Sequence, residues 1–298
     1  MNEPTVWQRL QKRNTAKLCL AITAFVVLAA VAGPFLLPSG YGDLTSNQFA
    51  PPSLSHLFGT DLNGRDVLFR VLEGARISLL VGGAGALISF FVGTAYGLIS
   101  GYAGGKIDAF MMRVIEILYS VPRLIIILVF INAFDSGLKH WFAALHWDTF
   151  IAYSRIIILI LCLGLIEWLT MARIVRGQVL ALKSQQFVAA ARSLGQSHVK
   201  IVTRHLLPNL VGVVVVYLTL TIPAVIMDES FLSFLGLGIQ APQASWGSLL
   251  SDGAQVINPV RSYWWLLVFP AAVMSSTLLA FNFLGDALRD ALDPRQRK

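Results

Sequence analysis

Five ionisable residues stand inside stretches otherwise too apolar for water: Glu116, Arg123, Glu167, Asp228 and Glu229. A charge held in hydrocarbon is costly and usually faces protein or a water-filled space. Glu116 and Arg123 are seven residues apart, which on one continuous helix is two turns along a single face. Asp228 and Glu229 are adjacent in the fifth apolar run. Such a set could line a polar pathway through a helix bundle, or form ion pairs internal to it. The sequence leaves both open.

Other chemistry is thin. There is no H-E-x-x-H and no G-x-S-x-G, and His56, His140, His146, His198 and His205 are scattered, so no metal site is expected. Cys19 and Cys162 lie in separate apolar runs and offer neither a disulfide framework nor ligand spacing. "GTDLNGRD" at 59–66 resembles a calcium loop only at first sight. Counted from Asp61, the fifth position is Arg65 and the twelfth Leu72, where an EF-hand needs acids. A turn held by Asx-type hydrogen bonds is the plainer reading. "GYAGGK" at 101–106 has three residues between its first glycine and the Gly-Lys pair, one short of a phosphate loop, and Ile107 follows the lysine.

The stretch "FVAAARSLGQSHVKIVTRHLLPN", 187–209, is the feature that asks for a partner. It is basic and lies between two greasy runs. Ser184 is placed to cap a first short helix with an apolar face of Phe187, Val188, Ala191 and Leu194. Gly195 suits a left-handed helix end. Ser197 is placed to cap a second helix carrying Val199, Val202 and Leu206, expected to stop before Pro208. Ala189, Ala190 and Ala191 make a small-residue patch that another surface could approach. An amphipathic hairpin resting on lipid headgroups through Arg192, Lys200 and Arg204 is the alternative.

The elements that must position these residues are membrane helices. Charged residues make up 13% of the 298-residue chain, against about 25% in soluble domains, and the mean hydropathy is +0.68. Six runs long enough to cross hydrocarbon fall at about 18–37, 77–100, 114–134, 155–175, 210–235 and 264–285. Ala30-Val31-Ala32 resembles a signal-peptidase site, but the apolar run continues to Leu37, so an uncleaved anchor is expected. The net charge of +7 does not call for nucleic acid, because Lys and Arg gather in alternate loops, as in cytoplasmic loops of membrane proteins. This bias puts Arg9, Lys12, Arg13 and Lys17, then Lys106 and Arg113, then Arg173, Arg176, Lys183, Arg192, Lys200 and Arg204 in and before the 184–209 loop, then Arg289, Arg295, Arg297 and Lys298 on the cytoplasmic side. The organisation expected is a cytoplasmic segment 1–17, a first transmembrane helix 18–37, an external loop 38–73, a five-helix core 74–286 containing loop 184–209, and a cytoplasmic tail 287–298. Gly93, Gly97 and Gly101, four apart, mark a face for close helix packing. Pro122, Pro223 and Pro270 should kink three spans.

The alanine pair, the glycine and the closing Leu-Pro resemble the "EAA" loop of permease subunits of ABC importers. "AAARSLG" with "RHLLPN" is similar to the form in the oligopeptide, dipeptide and nickel branch, and "HLFGTDLNGRD", "GARISLLVG", "GYAGGKID", "ARIVRGQVLALK", "ESFLSFLGLG", "SWGSLLSDGA" and "AFNFLGDALRDALDP" follow in the family's order from about His56 to Pro294. "GGKIDAFMMRVIEIL" looks most like the C-type subunit of oligopeptide permeases. One departure is Ala189, where the family carries Glu. The resemblance implies an all-α membrane protein of the type I ABC importer permease fold, with six transmembrane helices and both termini cytoplasmic, in the inner membrane. It implies no catalysis and no cofactor in this chain. ATP and Mg would be bound by two cytoplasmic ATPase subunits, a homologous permease would complete a heterodimer, and an external binding protein would deliver peptide, most simply an oligopeptide, otherwise a dipeptide or nickel chelate. It assigns coupling to Phe187, Ala189, Ala190, Ala191, Gly195, Arg204, His205 and Pro208, and leaves Glu116, Arg123, Glu167, Asp228 and Glu229 as pathway candidates. An ion-coupled secondary carrier is the alternative from another class, but it would show inverted repeats and leave the hairpin unexplained.

Overall fold

The computed structural model describes residue 10 and residues 13–37, 44–257 and 261–292. Arg9, Lys12, Arg295, Arg297 and Lys298, expected on the cytoplasmic side, lie outside the described residues. The described helices are α1 (Asn14–Leu36), α2 (Val67–Ala103), α3 (Gly105–Ser120), α4 (Arg123–Ala144), α5 (Asp148–Lys183), α6 (Gln186–Ser193), α7 (His198–Ile201), α8 (Leu207–Phe234), α9 (Trp246–Gln255) and α10 (Trp265–Leu292). A π-turn, Val202–Leu206, joins α7 to α8. Among the described residues the only β pairing is one bridge between Thr60 and Asp66. Six helical segments are long and apolar enough to cross a membrane: Asn14–Gly33, Val67–Ala103, Arg123–Ala144, Phe150–Lys183, His198–Phe234 and Trp265–Leu292.

The number of spans matches the sequence expectation, and several boundaries do not. The external loop expected over 38–73 ends early, because α2 begins at Val67. The third span expected over 114–134 is broken. Val121 is extended (φ −88°, ψ 129°) and Pro122 begins a new helix. The residue before a proline is driven out of the α region by the ring, so a kink here becomes a full break. Pro223 and Pro270 are carried inside α8 and α10.

The chain forms two compact units. Among the described residues, one holds those up to Gly83 together with those of Ile222–Ala287; the other holds Ala84–Thr221 and 288–292. In the first, Trp265 and Leu266 of α10 pack with Val67 and Val71 of α2 and Leu249 of α9. The loop before α2 is ordered by Asp61, which accepts from the backbone N–H groups of Asn63 (2.8 Å) and Arg65 (3.0 Å), as an Asx turn does. The same carboxylate takes Arg65 Nε at 2.8 Å and Arg70 Nη1 at 2.9 Å. Oδ1 is taken by the backbone amides and Oδ2 by the two guanidiniums, and no cluster fit for a metal occurs among the described residues. Ser245 starts α9 with a reciprocal capping box to Ser248.

In the second unit, α2 lies against α5 along the glycine stripe. A Cβ at Gly93 would sit 2.6 Å from Met171 Cβ, and one at Gly101 2.9 Å from Val179 Cβ. α4 and α5 form an antiparallel hairpin whose turn gathers Trp141, Phe142, Trp147 and Phe150, ring to ring at 5.5–6.3 Å. Trp141, Trp147 and Phe150 are half-exposed around a buried Phe142, and exposed aromatics at a helix turn suit the headgroup region of a bilayer.

Candidate functional site

The 184–209 stretch folds as two short helices in the second unit. α5 ends at Lys183, and the Ser184 hydroxyl donates back to Ala181 O at 2.9 Å. The expected cap at Ser184 is therefore absent; Gln185 starts α6 without a side-chain bond. α6 ends in a Schellman motif. Gln196 N–H donates to Ala191 O at 3.1 Å, Gly195 N–H donates to Arg192 O at 2.9 Å, and Gly195 holds φ +68°. Ser197 caps α7 by accepting from Lys200 N–H at 3.4 Å. α7 does not stop before Pro208. Leu207 N–H reaches back five residues to Val202 O, and this wider π-turn carries the chain into α8 with Pro208 in its first turn. A proline there gives up an N–H that the first turn does not need.

The two faces of the hairpin divide cleanly. Val188, Ala191, Ile201 and Leu206 are buried with Met171, Val175 and Val179 of α5 and Leu210 and Val214 of α8. Ala191 thus belongs to the chain's own core, and the small-residue patch that faces outward is Ala189 and Ala190. Leu194 is 79% exposed and Val199 73%, beside exposed Arg192, Lys200 and Arg204. Phe187 is half-exposed, its ring 6.4 Å from that of His205. His205 Nε2 is 3.0 Å from Gln196 Oε1, which braces the Gly195 turn against the π-turn. Pro208 is exposed.

The five intramembrane ionisable residues do not gather into one site, although Arg123 and Glu167 meet. Glu116 and Arg123 do not share a helix face, because the break at Val121–Pro122 separates them. Glu116 pairs with Arg113 at 3.2 Å, and Arg123 reaches Glu167 of α5 at 3.4 Å. Asp228 is partly exposed. Glu229 is fully buried in the first unit, where it accepts from Ser78 (2.9 Å), Ser233 (2.6 Å) and Ser230 (3.3 Å). Trp246 N–H, in the first turn of α9, donates to the same Ser78 hydroxyl at 3.2 Å. Glu229 is a hydroxyl-satisfied knot between α2 and α8, with no surface turned to a pathway in this structure.

Sequence reasoning missed a second cluster. Arg176 of α5 grips Asp108 of α3 with both arms, Nε to Oδ1 at 2.5 Å and Nη2 to Oδ2 at 2.6 Å, and Ser100 donates to Oδ1 at 2.5 Å. The expected span 155–175 leaves Arg176 among the loop cations, whereas α5 runs unbroken to Lys183 and carries Arg176 along the helix, where it takes Asp108 as partner. The hydrogen bond from Arg176 holds the Asp108 carboxyl below its ordinary value, with Ser100 and nearby Lys183 adding to it against the opposing effect of burial. A carboxylate with a lowered folded pKa contributes stability above its unfolded pKa, about 3.9, and loses it as pH falls through the folded value. Asp108→Asn should therefore destabilise the detergent-solubilised protein by about 1–3 kcal/mol. The difference from wild type should be flat between pH 8 and 5 and shrink only below about pH 4. Thermal unfolding across that range checks it; a difference that fades between pH 7 and 5 would assign the pair's charge to another group.

Six helical segments long and apolar enough to cross a membrane, with an exposed two-helix hairpin, describe a polytopic membrane protein. The chain belongs to the family of binding-protein-dependent transport system inner membrane components, whose model matches residues 93–298, and residues 5–52 match the N-terminal TM domain of oligopeptide transport permease C. It is 46% identical to the dipeptide transport system permease protein DppC of Bacillus subtilis over 98% of this chain and 85% of that one. It is 44% identical to the oligopeptide transport system permease protein OppC of Haemophilus influenzae, covering 98% and 90%, and 45% identical to OppC of Escherichia coli K12, covering 98% and 92%. Among solved structures, the MetNI methionine ABC transporter in its inward-facing form aligns with TM-score 0.56 over 76% of this chain and 97% of that one, at 17% identity. That likeness supports the importer-permease fold. The chain is a multi-pass inner-membrane transport component rather than an enzyme, and the secondary-carrier alternative falls away.

Proposed function

We propose that this chain is the C-type permease subunit of an ATP-driven peptide importer, with oligopeptides as substrate. It pairs with a homologous permease as a heterodimer. An external binding protein delivers peptide, and two cytoplasmic ATPase subunits bind ATP and Mg and do the hydrolysis. The observation that carries this reading is the 184–209 hairpin. It is built on the cores of α5 and α8, yet it leaves Leu194 and Val199 almost bare beside three cations. Apolar side chains displayed on a rigid mount among exposed cations suit a protein socket better than water. In this reading Phe187, Ala189, Ala190, Gly195, Arg204, His205 and Pro208 form or shape the coupling surface, and Ala191 anchors it. The exposed apolar residues of α4, Ile125, Val129 and Phe134 among them, suit lipid or the second permease. The dipeptide relative at 46% identity favours a second reading, in which the same machinery serves shorter peptides.

Orientation is tested by single cysteines in a background lacking Cys19 and Cys162. Asn63→Cys and Asp252→Cys should react with an impermeant maleimide from outside, and Gln196→Cys only after permeabilisation. Labelling of position 196 from outside would overturn the orientation and the coupling assignment together. Purification from co-expressing cells should bring the ATPase subunits with this chain, and uptake competition between dipeptides and longer peptides decides the substrate length.

A further inference from the structure

We infer that Tyr102, in the last turn of α2, is the positioning residue that ties the coupling hairpin to that helix; this rests on the coupling role proposed for the 184–209 loop. Tyr102 holds both ends of the segment 183–198, which contains α6 and the Gly195 turn. Its hydroxyl lies 2.7 Å from Nδ1 of His198, the first residue of α7. The two rings meet edge to face at 5.7 Å. Its carbonyl accepts from Nζ of Lys183, the last residue of α5, and the same ammonium lies 5.5 Å from the Tyr102 ring centroid. Everything between Lys183 and His198, including α6 and the Gly195 turn, is thus a loop closed at its base by one side chain and its carbonyl.

The neighbouring contacts decide what such a clamp can do. α2 cannot slide against α5 near this point, because Gly97 and Gly101 bring backbone against Ala172, Arg176 and Val179. Asp108 of α3 adds a second tie, because it takes both Arg176 of α5 and Ser100 of α2. The buried face of the hairpin shares its core with α5 and with Phe90, Leu98 and Tyr102 of α2, an apolar contact without direction. The Tyr102–His198 bond adds a directed polar tie from the start of α7 to α2. Without the hydroxyl, a push delivered to Ala189, Ala190 or Leu194 reaches α2 through apolar packing, which lets α7 shift before α2 follows. The ATPase subunits then still dock and turn over, but less of their stroke is passed on.

The test is the full transporter in proteoliposomes, read as peptide taken up per ATP hydrolysed. Tyr102→Phe keeps the ring and the carbonyl and removes only the bond to His198. It should lower uptake per ATP by about 3- to 10-fold, the loss of a single hydrogen bond being worth about 0.5–1.5 kcal/mol, with the ATPase subunits co-purifying at wild-type amounts. His198→Phe should give the same loss, and the double variant should be no worse than either one. His198→Asn, whose amide can stand near the Nδ1 position, should restore most of the ratio. Wild-type uptake per ATP in Tyr102→Phe overturns the inference. So does a loss that is matched by loss of bound ATPase, which would make Tyr102 a fold contact only. If Gly195→Val and Ala190→Arg abolish transport while Tyr102→Phe is silent, this inference fails and the coupling assignment stands; if those two are silent, the assignment itself fails.

Discussion

Gly195→Val and Ala190→Arg should each abolish peptide uptake while leaving the protein inserted at wild-type levels in the membrane. The two substitutions act by different physics. Gly195 holds φ +68°, and a Cβ there would meet nothing within 4 Å of its own chain. Space is not the obstacle; backbone conformation is. A β-branched residue held in the left-handed region costs about 1–3 kcal/mol, and the chain relieves it by rotating the α6–α7 turn. That turn is fixed by the Schellman bonds to Ala191 and Arg192 and by the His205–Gln196 contact, so its rotation tilts the outward face of α6. Gly195→Asn is the control, since Asn tolerates this region; it should keep most uptake. If Asn fails as badly as Val, a partner packs directly on the glycine. Ala190 is exposed on α6. Arginine there leaves the fold intact and holds a docking surface off by the length of its side chain. Lys200→Glu should matter less, because an exposed ion pair contributes under about 1 kcal/mol. Uptake and ATPase co-purification at matched membrane levels are the measurements. Wild-type uptake in both Gly195→Val and Ala190→Arg would mean that the hairpin only rests on lipid.

What the sequence shows of this molecule follows from which forces are local. Apolar length alone places the spans, because a helix in hydrocarbon must satisfy its own backbone. The Gly195 turn and the Ser197 cap are equally local, fixed by a positive φ and one hydroxyl. Helix ends were misjudged where a proline acts through its surroundings. Pro122 breaks a helix, whereas Pro208 is absorbed by a π-turn. Both give the same sequence signal, and the difference depends on whether packing, here Leu206 and Leu210 in the core of the second unit, holds the helix on line. Ala191 could not be told from Ala190 by residue type; a single step along α6 moves it from the outer face into the core. The pairing of ionisable residues was the least legible. Glu229 finds hydroxyls from Ser78, far away in sequence, and Arg176 finds Asp108 across two helices. Such partners are chosen by tertiary packing, and a single sequence carries only the demand for a partner.

Gly97→Leu should strip the protein from the membrane or leave it unassembled, with no change in substrate choice in whatever remains. A Cβ at Gly97 would lie 2.4 Å from Ala172 O, 2.9 Å from Val175 Cβ and 3.0 Å from Arg176 N. Two of these three obstacles are backbone atoms of α5, so no rotamer change can clear them. The helices must part, and overpacking of this kind costs about 1–3 kcal/mol or more. The damage spreads, because Arg176 is also the arm that holds Asp108. Asp108 of α3 is held from both sides, by Arg176 of α5 at 2.5 and 2.6 Å and by Ser100 of α2 at 2.5 Å, so drawing α5 away from α2 strains one set or the other in a site where Asp108 is 9% exposed and water is poorly placed to replace them. Gly177, on the same helix α5, is the matched control: a Cβ there meets nothing within 4 Å. Gly177→Ala should assemble normally and gain a few tenths of a kcal/mol, up to about 1, in helix stability. Membrane levels, resistance to proteolysis and co-purification of the transporter subunits, compared for Gly97→Leu and Gly177→Ala, check the pair. Normal assembly of Gly97→Leu with altered peptide preference would place Gly97 on the pathway wall and remove the close-packing account of the glycine stripe.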